Sequence, residues 1–164
     1  MDYLSHYDSP LGGITMASDS VGLVGLWFDG QRHFAETLET HHNECDNLPV
    51  FDQTRRWLDM YFGSRVPDFM PPIVMRGTAF RLGVWEMLLA IPFGATMTYG
   101  NIAKMMGIRS AQAVGGAVGH NPISLIVPCH RVVGTDGSLT GYAGGIERKK
   151  WLVEWERRCL QSRS

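Results

Sequence analysis

Short apolar runs separated by turn residues dominate the start of the chain. Residues 3–8, 14–17 and 23–28 each read as a strand. The breaks after them are Ser9-Pro10-Leu11-Gly12-Gly13, Asp19-Ser20-Val21-Gly22 and Asp29-Gly30. Apolar segments of this length, bounded by Gly, Pro and Asp, predict an antiparallel meander. The polar stretch that follows admits a helix over 33–39. The period then changes. Phe51, Leu58 and Tyr61 fall on one face of a helix over 50–62, with Gly63 as its stop. Residues 66–74, with Pro67, Pro71 and Pro72, read as an extended linker.

The second half reads as helices. Thr78 can cap a helix that carries Phe80, Val84, Leu88 and Ile91 and ends at Pro92. A short helix over 99–106 stops at Gly107. Ser110 can cap another over 111–118, closed by Gly119 and Asn121-Pro122. Two short helices joined by Gly107-Ile108-Arg109-Ser110 have the spacing of a helix-turn-helix. The second is built from small residues: Ala111, Ala113, Gly115, Gly116 and Ala117. Small side chains serve either close approach to a wide, flat partner such as a DNA groove or close packing of helices. Segments 130–133 and 139–142 flank Thr135-Asp136-Gly137-Ser138 and predict a hairpin or wing. A last helix runs from near Gly145 to about Cys159. Leu152 and Trp155 mark its apolar face, and Glu156, four residues after Leu152, falls on the inward side. The fold class is α+β. An N-terminal α/β domain with a small antiparallel sheet occupies residues 1–76. A mainly helical C-terminal winged helix-turn-helix domain occupies 77–164.

Composition adds boundaries. With 45% hydrophobic and 19% charged residues among 164, the chain is not a disordered one. A net charge of −1 argues at first against a nucleic-acid partner. The two halves differ, however. Residues 1–76 carry five Lys and Arg against eleven Asp and Glu, net −6, and residues 77–164 carry ten against five, net +5. Any DNA-binding face belongs to the second half. Cys45, Cys129 and Cys159 are an odd, widely spaced set, which suits a reducing compartment rather than a disulfide framework. No signal peptide is visible, and apolar runs such as 87–91 are too short to span a bilayer. A soluble, cytoplasmic protein is expected.

The segment Ile123-Ser124-Leu125-Ile126-Val127-Pro128-Cys129-His130-Arg131-Val132-Val133-Gly134 carries the candidate chemistry. An apolar run delivers a cysteine beside a histidine and an arginine. One reading is a buried Cys acting as a small hydrophobe. The other is an activated thiolate. A free thiol titrates at roughly 8.5, so it needs a base or positive surroundings to react at neutral pH. Neighbours in an extended strand face opposite ways, so His130 would work on Cys129 through a bridging water.

Pro128-Cys129-His130-Arg131, preceded by Asn121-Pro122, resembles the active-site signature of the O6-alkylguanine-DNA alkyltransferases, or methylated-DNA–protein-cysteine methyltransferases. Further blocks resemble the family in the same order. They are Gly77-Thr78-Ala79-Phe80 through Val84-Trp85, Ile91-Pro92-Phe93-Gly94, Thr98-Tyr99-Gly100-Asn101-Ile102-Ala103, Ala113-Val114-Gly115 and Gly141-Tyr142-Ala143-Gly144-Gly145. Ser9-Pro10-Leu11-Gly12 and Gly22-Leu23 resemble its N-terminal, ribonuclease-H-like domain.

The resemblance implies direct-reversal repair by a monomer acting on double-stranded DNA, without cofactor or metal. A damaged guanine is flipped out of the stack, because its alkyl carbon is otherwise unreachable. Cys129 accepts the alkyl group irreversibly, one base per molecule, from O6-alkylguanine and, as a further substrate, O4-alkylthymine. His130 takes the Cys129 proton through water, and Glu156 orients and charge-balances His130, in the order nucleophile, base, orienter. Tyr99 helps to neutralise charge on the leaving guanine. Asn121 braces the turn before Cys129. The Tyr142–Ala143 segment and Ser124 shape the pocket, and the carbonyls of Cys129 and Val132 accept from the exocyclic amine.

The same resemblance places Ala111, Gln112, Ala113 and Gly115 against DNA. By their charge, Arg109, Lys104, Arg131, Arg148, Lys149 and Lys150 are candidate phosphate contacts, the alternative being a solvated basic face. Gln112 stands where the family usually has an arginine that fills the gap left by the flipped base, and it lacks that residue's charge and planar fork. His41, His42 and Cys45 lie close together, but the absence of a fourth ligand and the polar loop around them favour no metal. Two alternatives stand beside the repair reading. One is a non-catalytic sensor of alkylated DNA resembling the alkyltransferase-like proteins, which lack the reactive cysteine. The other is a thiol hydrolase.

Overall fold

The computed structural model describes residues 1–162. Strands β1 (Asp2–Ser9), β2 (Gly12–Ser18) and β3 (Leu23–Phe28) form the expected antiparallel meander, with Leu4 opposite Ala17 and Met16 opposite Leu26. A fourth strand, β4 (His42–Glu44), gives the sheet order β3-β2-β1-β4 and runs parallel to β1. The sheet is therefore mixed, not purely antiparallel. β4 is a polar, exposed edge strand, so no apolar alternation announces it. Backbone bonds dock it, Asp2 N to His41 O at 3.2 Å and Cys45 N to Leu4 O at 2.9 Å.

The helix expected over 33–39 does not form; that segment is a series of turns. His33 and Ala35 have φ of 59° and 56°, in the left-handed region that interrupts a right-handed helix. The first helix is α1 (Pro49–Phe62), with Pro in its first turn and Val50, Phe51, Thr54, Trp57, Leu58 and Tyr61 buried. Gly63 ends it by donating to the carbonyls of Asp59 and Met60. The extended segment after it is clamped to β3, Leu23 N to Pro72 O at 2.7 Å and Val74 N to Leu23 O at 2.8 Å.

The second half follows its caps. Thr78 accepts from Arg81 N and opens α2 (Ala79–Leu88), whose inward residues are Val84, Trp85 and Leu88. Phe80 is exposed instead of inward, and the helix ends before Ile91, which is buried in the turn that follows. Strand β5 (Met97–Thr98) leads into α3 (Tyr99–Met105), and Ser110 caps α4 (Ala111–Gly119). The expected hairpin partner over 139–142 is not a strand. Gly134 N to Ser138 O closes a tight turn at 2.9 Å, but β6 (Val132–Val133) pairs in parallel with β5 instead. The last helix is α5 (Ile146–Gln161). Among the described residues, no helix is long and apolar enough to cross a membrane.

One hydrophobic core joins Ile14, Phe28, Phe51 and Leu58 of the first half to Trp85, Ile102, Ile123 and Leu152 of the second. The backbone of β3 also reaches into the second half, Leu26 N to Pro122 O at 2.8 Å and Ser124 N to Leu26 O at 2.9 Å. An ion pair between a buried carboxylate and a half-buried arginine ties β1 to the chain before α2. Arg76 Nη1 and Nη2 grip the two oxygens of Asp2 at 2.7 and 2.8 Å. The Arg76 bonds hold the Asp2 carboxyl below its usual pKa, against the opposing effect of burial. A carboxyl lowered by folding stabilises the fold above its unfolded pKa and loses that contribution as pH falls. Arg76→Ala, which leaves a buried carboxylate without its partner, is expected to cost about 3 kcal/mol at neutral pH. In urea denaturation the gap to the wild type should close as pH falls below the unfolded value of about 3.9. An equal gap at both pH values would show that the pair is not its source.

Candidate active site

The inward side of α5 presents Lys149, Leu152, Val153, Glu156 and Cys159. The Glu156 carboxylate is 1% exposed and accepts five hydrogen bonds. His130 Nε2 lies 2.5 Å and Tyr61 Oη 2.7 Å from Oε2, with Arg131 Nη2 at 3.2 Å. Oε1 accepts from Arg131 Nε at 2.8 Å and Gly94 N at 2.9 Å. Burial alone would raise the pKa of Glu156. The charges and hydrogen bonds of His130 and Arg131 outweigh it and hold the carboxyl well below the ordinary range. Burial and the neighbouring Glu156 push the Tyr61 phenol well up, so it stays a donor.

An ionised Glu156 can only accept, so the His130 proton facing it is on Nε2. Burial lowers the pKa of His130 more than Glu156 raises it, which leaves a neutral imidazole. Its other nitrogen, Nδ1, is buried with no hydrogen-bond partner among the described residues. That combination is a base with an oriented, available lone pair.

Cys129 is 3% exposed and opens a 3-10 turn, Cys129–Arg131, instead of lying in an extended strand. Cys129 and His130 therefore do not face opposite ways as they would in a strand, since successive side chains in such a turn are about 120° apart. Burial pushes the thiol pKa up, partly offset by Asn121, the positive charge of Lys149 and nearby backbone groups. Asn121 laces the approach to this turn: Nδ2 donates to Val127 O at 2.8 Å and Oδ1 accepts from Ile123 N at 3.0 Å. Ser124 and Val132 are buried in the same segment, and Val132 N donates to Cys129 O. Tyr142 is buried, and its hydroxyl has no hydrogen-bond partner among the described residues. Ala143 is half-buried and its carbonyl accepts from Arg32 N at 3.1 Å.

Tyr99 begins α3 and donates to Thr140 O at 2.8 Å. Burial, reinforced by Cys129 nearby, pushes its pKa up to about 12, so it carries its proton at neutral pH. Lys149 is fully buried beside it, with Nζ 2.9 Å from Thr140 O. Burial pulls its pKa down to about 8. From Tyr99 an open groove of about 760 Å³ runs past Ala111, Gln112, Gly115 and Gly116 on α4 and is closed opposite by Gly134, Thr135, Thr140 and Gly141.

The face of α4 discriminates between the two uses of its small residues. Val114, Ala117 and Val118 are buried, and Trp85 Nε1 donates to Ala117 O at 2.8 Å. Ala111, Gln112, Ala113 and Gly116 point outward. A Cβ at Gly116 would meet nothing, and one at Gly115 would rest on the Tyr99 ring at an ordinary 3.8 Å. Internal packing does not require either glycine.

Three of the six expected phosphate contacts are used inside the protein. Arg131 is buried, bound to Glu156 and to Ile91 O at 2.8 Å, with its plane over Phe93. Arg148 donates to Leu11 O and Gly144 O and covers the Phe28 ring. Lys149 is buried against Tyr99 and Thr140. Arg109, Lys104 and Lys150 remain exposed. His42 Nδ1 sits on Glu39 O, and Cys45 donates to Asn47. Sequence reasoning missed Tyr61, Gly94 and the interior position of Lys149. Tyr61 is 95 residues from Glu156, and nothing local to either marks the pair.

Residues 79–158 match the family model described as 6-O-methylguanine DNA methyltransferase, DNA binding domain, and residues 3–73 match its ribonuclease-like domain. The chain is 43% identical over 157 residues to the methylated-DNA–protein-cysteine methyltransferase of Mycobacterium tuberculosis, covering 93% of this chain and 92% of the relative. It is 38% identical over 157 residues to the protein of the same name from Haemophilus influenzae, covering 94% and 86%. The crystal structure of Mycobacterium tuberculosis OGT in complex with DNA superposes with a TM-score of 0.86 at 42% identity, covering 96% of this chain and 94% of that one.

Glu156 is held ionised by folding, so its contribution is complete above the unfolded carboxyl pKa of about 4.3 and is lost as pH falls. Tyr61→Phe removes one donor to a buried charge and is expected to cost about 2 kcal/mol in urea denaturation. Glu156→Gln leaves Arg131 buried without a counter-charge and is expected to cost about 3 kcal/mol or more. Unchanged unfolding of Tyr61→Phe would mean that the phenol does not support the carboxylate.

Proposed function

Because the chain belongs to the 6-O-methylguanine DNA methyltransferase family, we propose that it repairs DNA by taking the alkyl group of O6-alkylguanine onto Cys129, once and irreversibly. The observation that carries this reading is the buried His130–Glu156 pair directly after the buried Cys129, with an open groove starting at Tyr99. A thiol that is 3% exposed cannot reach a base inside a duplex, so the base must leave the stack and enter the pocket.

The roles follow from protonation. Cys129 waits as a thiol, and His130 Nδ1 takes its proton, through a bridging water. The imidazolium so formed is stabilised by Glu156 at 2.5 Å. The sulfur then attacks the alkyl carbon: the S–C bond forms, the C–O6 bond breaks, and the electron pair stays on guanine. A proton returned to guanine balances the one lost by Cys129. Tyr99, protonated at neutral pH, is placed to neutralise that charge. Tyr142, Ala143, Ser124 and Val132 form the walls, and Asn121 holds the loop that carries Cys129. The resulting thioether has no easy leaving route, so the protein is consumed. The same pocket would take O4-alkylthymine as the smaller substrate.

Duplex DNA would lie along the outward face of α4, against Ala111, Gln112, Ala113 and Gly115, with Arg109 as a phosphate contact. The free space over Gly116 supports this placement. In this proposal the domain boundary falls at residue 76, with the acidic first half turned away from DNA.

Incubation with a duplex containing O6-methylguanine should add the mass of one methylene, on Cys129 alone, and Cys129→Ser should bind the duplex without gaining mass. Wild-type protein that binds and stays unmodified would instead support the sensor reading, which Gln112 at the usual arginine position keeps in view. Repeated turnover of an acyl substrate would support the hydrolase. Gln112→Arg should restore a charged, planar contact worth about 1 kcal/mol, or about fivefold in affinity and transfer rate. No gain in either would show that position 112 is not limiting.

A further inference from the structure

Outside the pocket, one cluster joins the two halves of the chain. His33 and Glu36 lie in the turn segment after β3, and His120 caps the C-terminal end of α4. Glu36 Oε2 is 2.8 Å from His33 Nδ1, and Glu36 Oε1 is 3.0 Å from His120 Nδ1. The two imidazoles stack with centroids 3.8 Å apart. One ligand atom from each residue lies within 4.8 Å of the other two, the only such set of three among the described residues. We propose that His33, Glu36 and His120 form a binding site for a divalent transition-metal ion of the zinc class.

The donor chemistry fits. Two imidazole nitrogens and one carboxylate, with a fourth position open to solvent, suit a borderline ion that accepts N and O ligands. Bonds of about 2.0–2.1 Å around a tetrahedral ion set ligand-to-ligand edges of about 3.3 Å. The His–Glu edges already approach that value at 2.8–3.2 Å. The ion would displace the protons now shared along those edges. Its three ligands are 25–40% exposed, so the ion has an entry path. One charge opposes it: Arg81 Nη1 stands 4.0 Å from Glu36 Oε1. Arg32 lines the adjoining cavity with Gly116 and Gly119.

The backbone is arranged for this contact. His33 holds a left-handed φ of 59°, which few non-glycine residues adopt though histidine does so more often than most, and its carbonyl accepts from Glu36 N at 3.2 Å. That turn aims both side chains at the end of α4. A metal there would tether the first half to the residue directly before Asn121, and so to the loop that carries Cys129. The site is structural, and it stands independently of the alkyl-transfer reading.

The test uses the whole protein, first stripped with a chelator. Zn²⁺ should bind as one equivalent and raise Tm. Co²⁺ should give visible d–d bands without the near-ultraviolet charge-transfer band of a thiolate ligand. His120→Phe, which keeps an aromatic ring against His33, and Glu36→Gln should abolish both effects while far-UV circular dichroism stays native. Three results would overturn the proposal: no Tm rise in the wild type, an equal rise in both variants, or a thiolate band that places the ion on Cys45 or Cys129. If either variant fails to fold, the wild-type stoichiometry and cobalt spectrum decide alone.

Discussion

The structure turns on one buried carboxylate. Glu156 is out of water, yet it is held ionised by two cationic or polarisable neighbours and two neutral donors. A lone carboxylate there would be prohibitively costly; five hydrogen bonds make it tolerable. Those donors come from three places, α1, the turn after Ile91 and the 3-10 turn, and they meet on α5. The requirement to satisfy one charge therefore fixes how four segments meet. It also fixes the His130 tautomer, and with it the direction in which the imidazole can accept a proton.

The same geometry explains why the first half is indispensable to a site whose chemistry lies in the second. Tyr61 on α1 completes the Glu156 cage. The β3 backbone holds Pro122 and Ser124, so the loop leading to Cys129 is attached to the sheet by two hydrogen bonds at Leu26. Leu125 in that loop has φ of 71°, a conformation held by the surrounding contacts and not by its own preference. The acidic half acts as a scaffold for the reactive loop.

What could be read from the sequence was whatever local rules decide. The caps Thr78 and Ser110 start their helices as expected, because a side-chain oxygen three residues ahead of a free N–H is a local event. The inward position of Glu156 followed from helical period alone. The chain could not announce contacts made across it. β4 has three polar residues and a partner some forty positions away, so its pairing leaves no pattern. Arg131 looked like a phosphate contact because sequence shows charge and not burial. Phe80 looked inward because its spacing from Val84 is helical, yet the core against α2 is filled by Trp85. The expected 33–39 helix failed at two residues whose left-handed backbone no composition rule flags.

On the proposed function Cys129 is a single-use thiol, under a constraint that an ordinary catalyst escapes: any side reaction is final. The thiolate is the species that meets oxidants and stray electrophiles. Burial raises the pKa of Cys129 and shields its sulfur, which keeps the thiol protonated at rest. Burial equally lowers the pKa of His130, so the base is neutral and ready, but its gain on accepting a proton depends on Glu156 already being charged. Low polarity around the sulfur and fixed negative charge behind the imidazole thus act together. The first suppresses reaction in the absence of substrate. In the proposed reaction the second would supply the stabilisation for ion-pair formation once a base has entered and excluded water, where each charge interaction is stronger. Neither would serve without the other, and both depend on Glu156 remaining ionised in the core.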